Sequence, residues 1–241
     1  MLAAALLELL PDREAFVNEL NGLGIPGVRF QADPAVKCGI TGTHMTVTVN
    51  GAEEESFDHQ HGHTHNHEHP HDHEHAHDHE HAHEHGHHHH SGLHDIEHIV
   101  RGHLHLPQAV QDDVMAVYGL IAEAESHAHG VPVTEIHFHE VGTLDAVADV
   151  TAVCLLMHRL APDEVVVSPV HVGSGQVRCA HGILPVPAPA TAFILRGVPI
   201  YGGSVRGELC TPTGAALLKH FATRFGAMPA MQVESIGFGM G

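Results

Sequence analysis

Basic residues are scarce in this chain: Lys and Arg together number 10 against 29 Asp and Glu over 241 residues. That balance argues against nucleic acid or an anionic membrane as the main partner. Aromatic side chains are equally sparse, with no Trp, two Tyr and eight Phe. No apolar run approaches the roughly 20 residues of a membrane-spanning helix. The start, Met1 to Leu10, is apolar but has neither a basic region nor a small-residue cleavage site, so it does not read as a signal peptide and the cytosol is expected. The four cysteines, Cys38, Cys154, Cys179 and Cys210, form no C-x-x-C pair. Neither a zinc ribbon nor a disulfide scaffold is indicated, and the expectation is buried small hydrophobes in a reducing compartment.

Histidine is abundant instead. The 31 His explain how a formal charge of -19 coexists with an isoelectric point near 5.8. Neutrality requires 19 of the imidazoles to be protonated, which happens close to or just below the usual His pKa of ~6.5. Metal held through these nitrogens is expected to be lost between roughly pH 7.5 and pH 5.5, because protons compete for the same lone pairs.

Composition divides the chain in three: a folded segment 1–57, a low-complexity linker 58–92, and a main part 93–241 packed with the first. In 1–57 helical periodicity marks Leu2–Leu10 and Arg13–Leu20, with Asp12 placed to cap the second, and Ile40–Val49 reads as a strand. Positions 59–90 hold 18 His and six Asp or Glu, mostly as H-x-H, and no Val, Leu, Ile or Phe. Nothing there offsets the entropy of ordering the backbone, so a solvated, disordered loop is expected. Its internal position, with acids between the imidazoles, argues against a purification tag. Beyond it, helices are expected at His94–Arg101, Gln108–His127, Leu144–Leu160, Ala192–Leu195 and Thr211–Phe225, and a strand at Val165–Val172 in which Pro169 suggests a bulge or an edge. The alternation favours an α/β fold, with mixed α+β as the alternative: one main folded unit interrupted by the His-rich loop.

Three constellations carry chemistry. In the tract, His61, His63, His65, His67, His69, His71, His73, His75, His77, His79, His81, His83 and His85 offer many chelating pairs to Zn, Ni or Cu. Without fixed geometry such a tract binds several ions loosely, as a buffer or a collecting arm; a hydrophilic spacer grown by repeat expansion is the bland alternative. The second constellation is His137-Phe138-His139-Glu140 with Asp145 and Asp149. An extended 136–139 turns both imidazoles to one face, and Asp145 and Asp149 share a face of the next helix. His129 and Glu125, just upstream, could join or support them; solvent-facing His and a capping Asp are the structural alternative. The third is Glu208 through Gly214, where Thr211 before Pro212 reads as an N-cap. Thr211, Thr213 and Gly214 at a positive helix end could seat a phosphate or carboxylate, or simply cap. Gly173-Ser174-Gly175 matches no hydrolase or dinucleotide motif, and His181-Gly182 is undecided.

The segments HGVPVTEIHFHEVGTLDAVADV (129–150), HGILPVPAPAT (181–191) and GELCTPTGAALL (207–218) resemble the LarC-type nickel-insertion proteins, and the His-rich insertion before a helix is typical of them. The resemblance runs along essentially the whole chain outside 59–90. It implies insertion of Ni²⁺ into pyridinium-3,5-bisthiocarboxylic acid mononucleotide, a CTP-dependent, lyase-class step in making the nickel-pincer cofactor of lactate racemase. Read from the residues themselves rather than from the family, the metal is expected with His137, His139, Glu140, Asp145, Asp149 and His129, and helix-terminus physics sets Thr211, Thr213, Gly214, Glu208 and His181 near the substrate. Relatives begin with a strand and a Gly-Ile-Ser-Gly-Asp-Met turn, and continue past Gly237-Phe238-Gly239-Met240-Gly241 into a nucleotide-binding domain. CTP, with Mg²⁺ or Mn²⁺, is therefore expected on a separate C-terminal part, and a homo-oligomer is expected. The competing expectation is a non-enzymatic nickel or zinc storage protein or metallochaperone.

Overall fold

The computed structural model describes residues 1–53, 92–138, 141–179 and 181–241. The His tract, His139 and Glu140 lie outside the described residues. Two short helices open the chain, α1 (Leu2–Leu7) and α2 (Arg13–Asn21). The Asp12 carboxylate accepts the Ala15 N–H at 2.9 Å and caps α2 as its spacing suggests. A hairpin follows: β1 (Val28–Lys37) and β2 (Ile40–Val49) pair antiparallel along their full length, from Val28 opposite Val49 to Lys37 opposite Ile40. Cys38 and Gly39 turn the hairpin with φ of 52° and 80°, the double left-handed geometry that matches strand twist. Cys38 is consequently exposed, and Cys179 is only half-buried, a correction to the reading of all four cysteines as core residues.

The helical layer comprises α3 (Leu93–Gly102), α4 (Gln108–His129) and α5 (Leu144–Leu160), with a 3-10 turn at Val133–Glu135 between the last two. On α4 the expected stripe of Val110, Val114, Val117 and Ile121 is buried, and Tyr118 joins it. α5 is buried nearly all round, from Val150 to Leu156 without a break, as befits a central helix. It packs against α1, α4 and β2. That contact joins the N-terminal segment to the rest in one continuous apolar core, from Ala3 to Leu217.

Short strands β3 (Val166–Val167), β4 (Val170–His171), β5 (Gly173–Ser174), β6 (Gln176–Cys179) and β7 (Gly182–Pro185) come next. They are followed by α6 (Pro189–Ile194), β8 (Ile200–Tyr201), β9 (Gly207–Glu208), α7 (Pro212–Phe221), β10 (Arg224–Phe225) and β11 (Gly239–Met240). The expected single strand at 165–172 is therefore two. Val166–Val167 pairs with β10 and Val170–His171 with β8, because Pro169 cannot continue a ladder. The last helix stops at Phe221, and Arg224–Phe225 is strand rather than helix. β11 lies parallel to β2 and completes the sheet order β1-β2-β11. The whole is a mixed α/β unit, and no helix among the described residues is long and apolar enough to cross a membrane.

Candidate functional site

The three long helices set the directions. Asp113, early on α4, meets His220 near the end of α7 at 2.8 Å, and its charge reaches Cys154 in the second half of α5. Farther along α4, the buried Tyr118 hydroxyl donates to the Val141 carbonyl at 3.1 Å, just before α5 begins. α5 thus runs against α4, its start beside the middle of α4 and its second half beside the start, where the end of α7 also lies.

Around His137 the alternation holds. Ile136 and Phe138 are buried while His137 is exposed. Phe138 packs on Tyr118 with ring centroids 5.9 Å apart, which fixes the segment and leaves the imidazole facing water. Thr143 is the N-cap of α5, and its hydroxyl donates to the Asp145 carboxylate. Asp149, one turn on, is exposed by surface area yet crowded by neighbouring protein atoms. That crowding raises its pKa most; the N-terminal amine opposes the shift and Asp145 adds to it. The Tyr118 phenol is pushed well above the tyrosine range by burial, and by the charges of Asp145 and Asp149, so it stays a donor.

Asp145 adds to the cost of ionising Asp149, and a divalent cation beside them would relieve that repulsion. With His139 and Glu140 outside the described residues, the structure places only His137, Asp145 and Asp149 of the five residues in that cluster. Among the described residues no three His, Cys, Asp or Glu side chains are positioned to hold one ion together. The raised pKa of Asp149 also has a stability consequence. A carboxyl whose folded pKa lies above its unfolded value favours folding at low pH, and that contribution is lost as pH rises through the folded pKa. Asp149→Asn is therefore expected to raise the Tm of metal-free protein at pH 7 while weakening divalent-cation binding; calorimetry with and without Ni²⁺ checks both.

His129 has near neighbours of its own. It pairs with Glu125 at 3.3 Å, and its ring lies 4.9 Å from that of His181, in the turn after β6. Sequence reasoning placed these two imidazoles with different ligands, and nothing in their distant positions signals the contact. At α7 the Thr211 hydroxyl accepts the Gly214 N–H at 3.2 Å, so it serves as the cap. Thr213 is half-buried in the first turn. Glu208 pairs with Gly173 across β9 and β5, where a Cβ on Gly173 would stand 2.0 Å from the Gly207 carbonyl. Gly173 therefore has a backbone reason for its identity, which its motif did not reveal. Beside them the buried Cys210 thiol is pushed up to about 11, by burial and then by the charge of Glu208, so it is no nucleophile at neutral pH.

Imidazole–carboxylate pairs on packed helices, on a chain that also carries a long His tract, are features that suit a metal-handling protein. The chain is 44% identical over 242 residues to the pyridinium-3,5-bisthiocarboxylic acid mononucleotide nickel insertion protein of Desulfitobacterium hafniense strain DSM 10664 / DCB-2, covering 100% of this chain and 51% of that protein. The protein of that name from Geobacillus kaustophilus is 34% identical over 241 residues, covering 100% and 52%. That from a Nocardioides species is 54% identical over 134 residues, covering 54% and 34%. The nickel insertion protein family model matches residues 1–241, and the chain belongs to that family. It spans about half the length of the first two relatives. No solved structure gives a significant match.

Proposed function

We propose that this chain takes part in the insertion of nickel into pyridinium-3,5-bisthiocarboxylic acid mononucleotide and supplies the metal-delivering half of that lyase-class, cytosolic reaction. The observation that carries the reading is the family match along residues 1–241, to relatives whose names state that substrate. In this scheme the tract collects Ni²⁺, and the group of His137, His139, Glu140, Asp145, Asp149 and His129 relays it. These are nitrogen and oxygen donors, harder than the sulfur of the thiocarboxylates, so the substrate can draw the ion off them. The α7 start, with Thr211, Thr213 and Gly214, receives the mononucleotide phosphate at the positive helix end through its two hydroxyls, and Glu208 and His181 flank it. CTP, with Mg²⁺ or Mn²⁺, is the business of the half of the relatives' length that this chain does not span.

The test supplies nickel-free substrate, CTP and Ni²⁺ to this chain with and without a separately made second half taken from a relative. Insertion is expected only when both are present. Nickel binding with no insertion in either arm, in an assay that works for a complete relative, would overturn the reading in favour of a storage protein. Insertion by this chain alone would show that the nucleotide chemistry has been put in the wrong half.

A further inference from the structure

Helix α3 and its C-cap carry imidazoles that lie apart in sequence from the His tract and from the 137–149 group. The rings of His98 and His103 lie nearly parallel, 14° apart, with centroids separated by 4.8 Å. Both side chains are exposed. The neighbouring charges are already matched: Arg101 pairs with Glu97 at 3.3 Å and with Asp112 at 2.9 Å. Between the two rings in sequence stands Gly102, the last residue of α3. Its φ is not in the left-handed region, so the backbone does not call for glycine, and alanine there would favour the helix. What glycine leaves is space: a Cβ at Gly102 would stand 3.3 Å from Nδ1 of His98. His94 is exposed one turn earlier on the same face. At its start α3 touches the 137 segment, since a Cβ on Gly92 would lie 3.7 Å from the Ile136 carbonyl.

We propose that His98 and His103 form a two-imidazole docking point for a borderline divalent cation, Ni²⁺ or Zn²⁺, held open by Gly102. Water completes the coordination, as the pair supplies two ligands. A turn of each side chain brings the two ring nitrogens to one ion, and a shared ion is held more tightly than by either ring alone. The pair stands at one end of a row, His103–His98–His94, that leads along α3 toward His137. That the row passes nickel to His137 rests on the proposed insertion function; the binding of the ion does not.

The test uses the full chain and the metal alone. Deuterium exchange at imidazole C2–H, read residue by residue by mass spectrometry, is followed as NiCl₂ is raised beyond the total imidazole concentration. His158, an exposed imidazole on α5, is the internal reference. His98 and His103 are expected to be protected at nickel concentrations about tenfold below those needed for His158. In His103→Ala the protection of His98 falls to the His158 level. Gly102→Ala is expected to weaken protection of His98 severalfold while leaving Tm unchanged or higher, which separates lost access from lost folding. Equal protection of His98 and His158 in the unaltered chain, or protection of His98 that survives either substitution, would overturn the proposal. No insertion assay enters the readout, so failure here and failure of the insertion reading are distinguishable.

Discussion

Replacing His137 and His139 together by alanine is expected to abolish nickel insertion in the two-part reaction while leaving the nickel held per chain nearly unchanged. The two outcomes separate because the ligands are unequally distributed. Residues 59–90 hold 18 of the 31 imidazoles, so most metal bound at equilibrium belongs to the tract. The 137–149 group contributes little to that total, yet on this reading every inserted ion passes through it. The fold should tolerate the change. His137 is exposed, and the anchors of its segment are the buried Ile136 and Phe138, which remain. Exposed substitutions of this sort usually move stability by no more than about 0.5 kcal/mol. Insertion rate, nickel stoichiometry and Tm measured on the same preparation decide the matter. A lost insertion activity accompanied by a drop in Tm of many degrees would mean a structural role instead.

Gly237→Ala is expected to be among the most damaging small substitutions outside the core. A Cβ at that position would stand 2.0 Å from the Ala5 carbonyl and 3.0 Å from its carbon, both backbone atoms of α1 that cannot rotate away. The segment must lift, and three interactions go with it. The Phe238 N–H donates to the Glu8 carboxylate at 2.7 Å, and the Thr43 N–H donates to the Phe238 carbonyl at 2.9 Å. The third is the pairing of Gly239 and Met240 with Thr43 and His44. Overpacking combined with the loss of these bonds should cost about 2–3 kcal/mol.

Glu8 provides an independent signature of the same contact. Its pKa is lowered, first by the Phe238 N–H and then by the Thr43 hydroxyl, with burial opposing and Arg13 adding a little. A carboxyl depressed in the folded state stabilises above its unfolded pKa, and the contribution is lost as pH falls through the folded value. Gly237→Ala removes the largest cause, so stability below about pH 4.5 should fall less steeply with acid than in the unaltered chain. Faster amide exchange at Thr43, a lower Tm at pH 7 and a flatter acid limb are the expected observations.

Where apolar residues recur at a clean period, the fold was legible in the chain itself. α5 begins at Leu144 and ends at Leu160, and β2 runs from Ile40 to Val49, each within its expected bounds. Asp12 caps α2 through the geometry its spacing implies. β1 was hidden because only Phe30 of its ten residues is fully buried and Pro34 interrupts the pattern. Pro169 signals the break after Val167, but the strand at Arg224–Phe225 does not show in its own residues, since it is defined by parallel pairing with β3. Local periodicity cannot report such long-range pairing. The same reason conceals the meeting of His129 with His181, whereas the outward turn of His137 follows from alternation alone.

The outer side of β1 bears on how copies of this chain behave when crowded. A ten-residue strand at the rim of a sheet is ordinarily an invitation to strand-on-strand association. Here the Asn21 side chain occupies the rim at Phe30, accepting its N–H at 2.9 Å and donating to its carbonyl at 3.0 Å. Pro34 offers no N–H at all, and Arg29 and Asp33 add charge on the exposed face. A second molecule therefore finds few partners along this rim. The hairpin can stay long and solvent-facing without becoming a seed for aggregation.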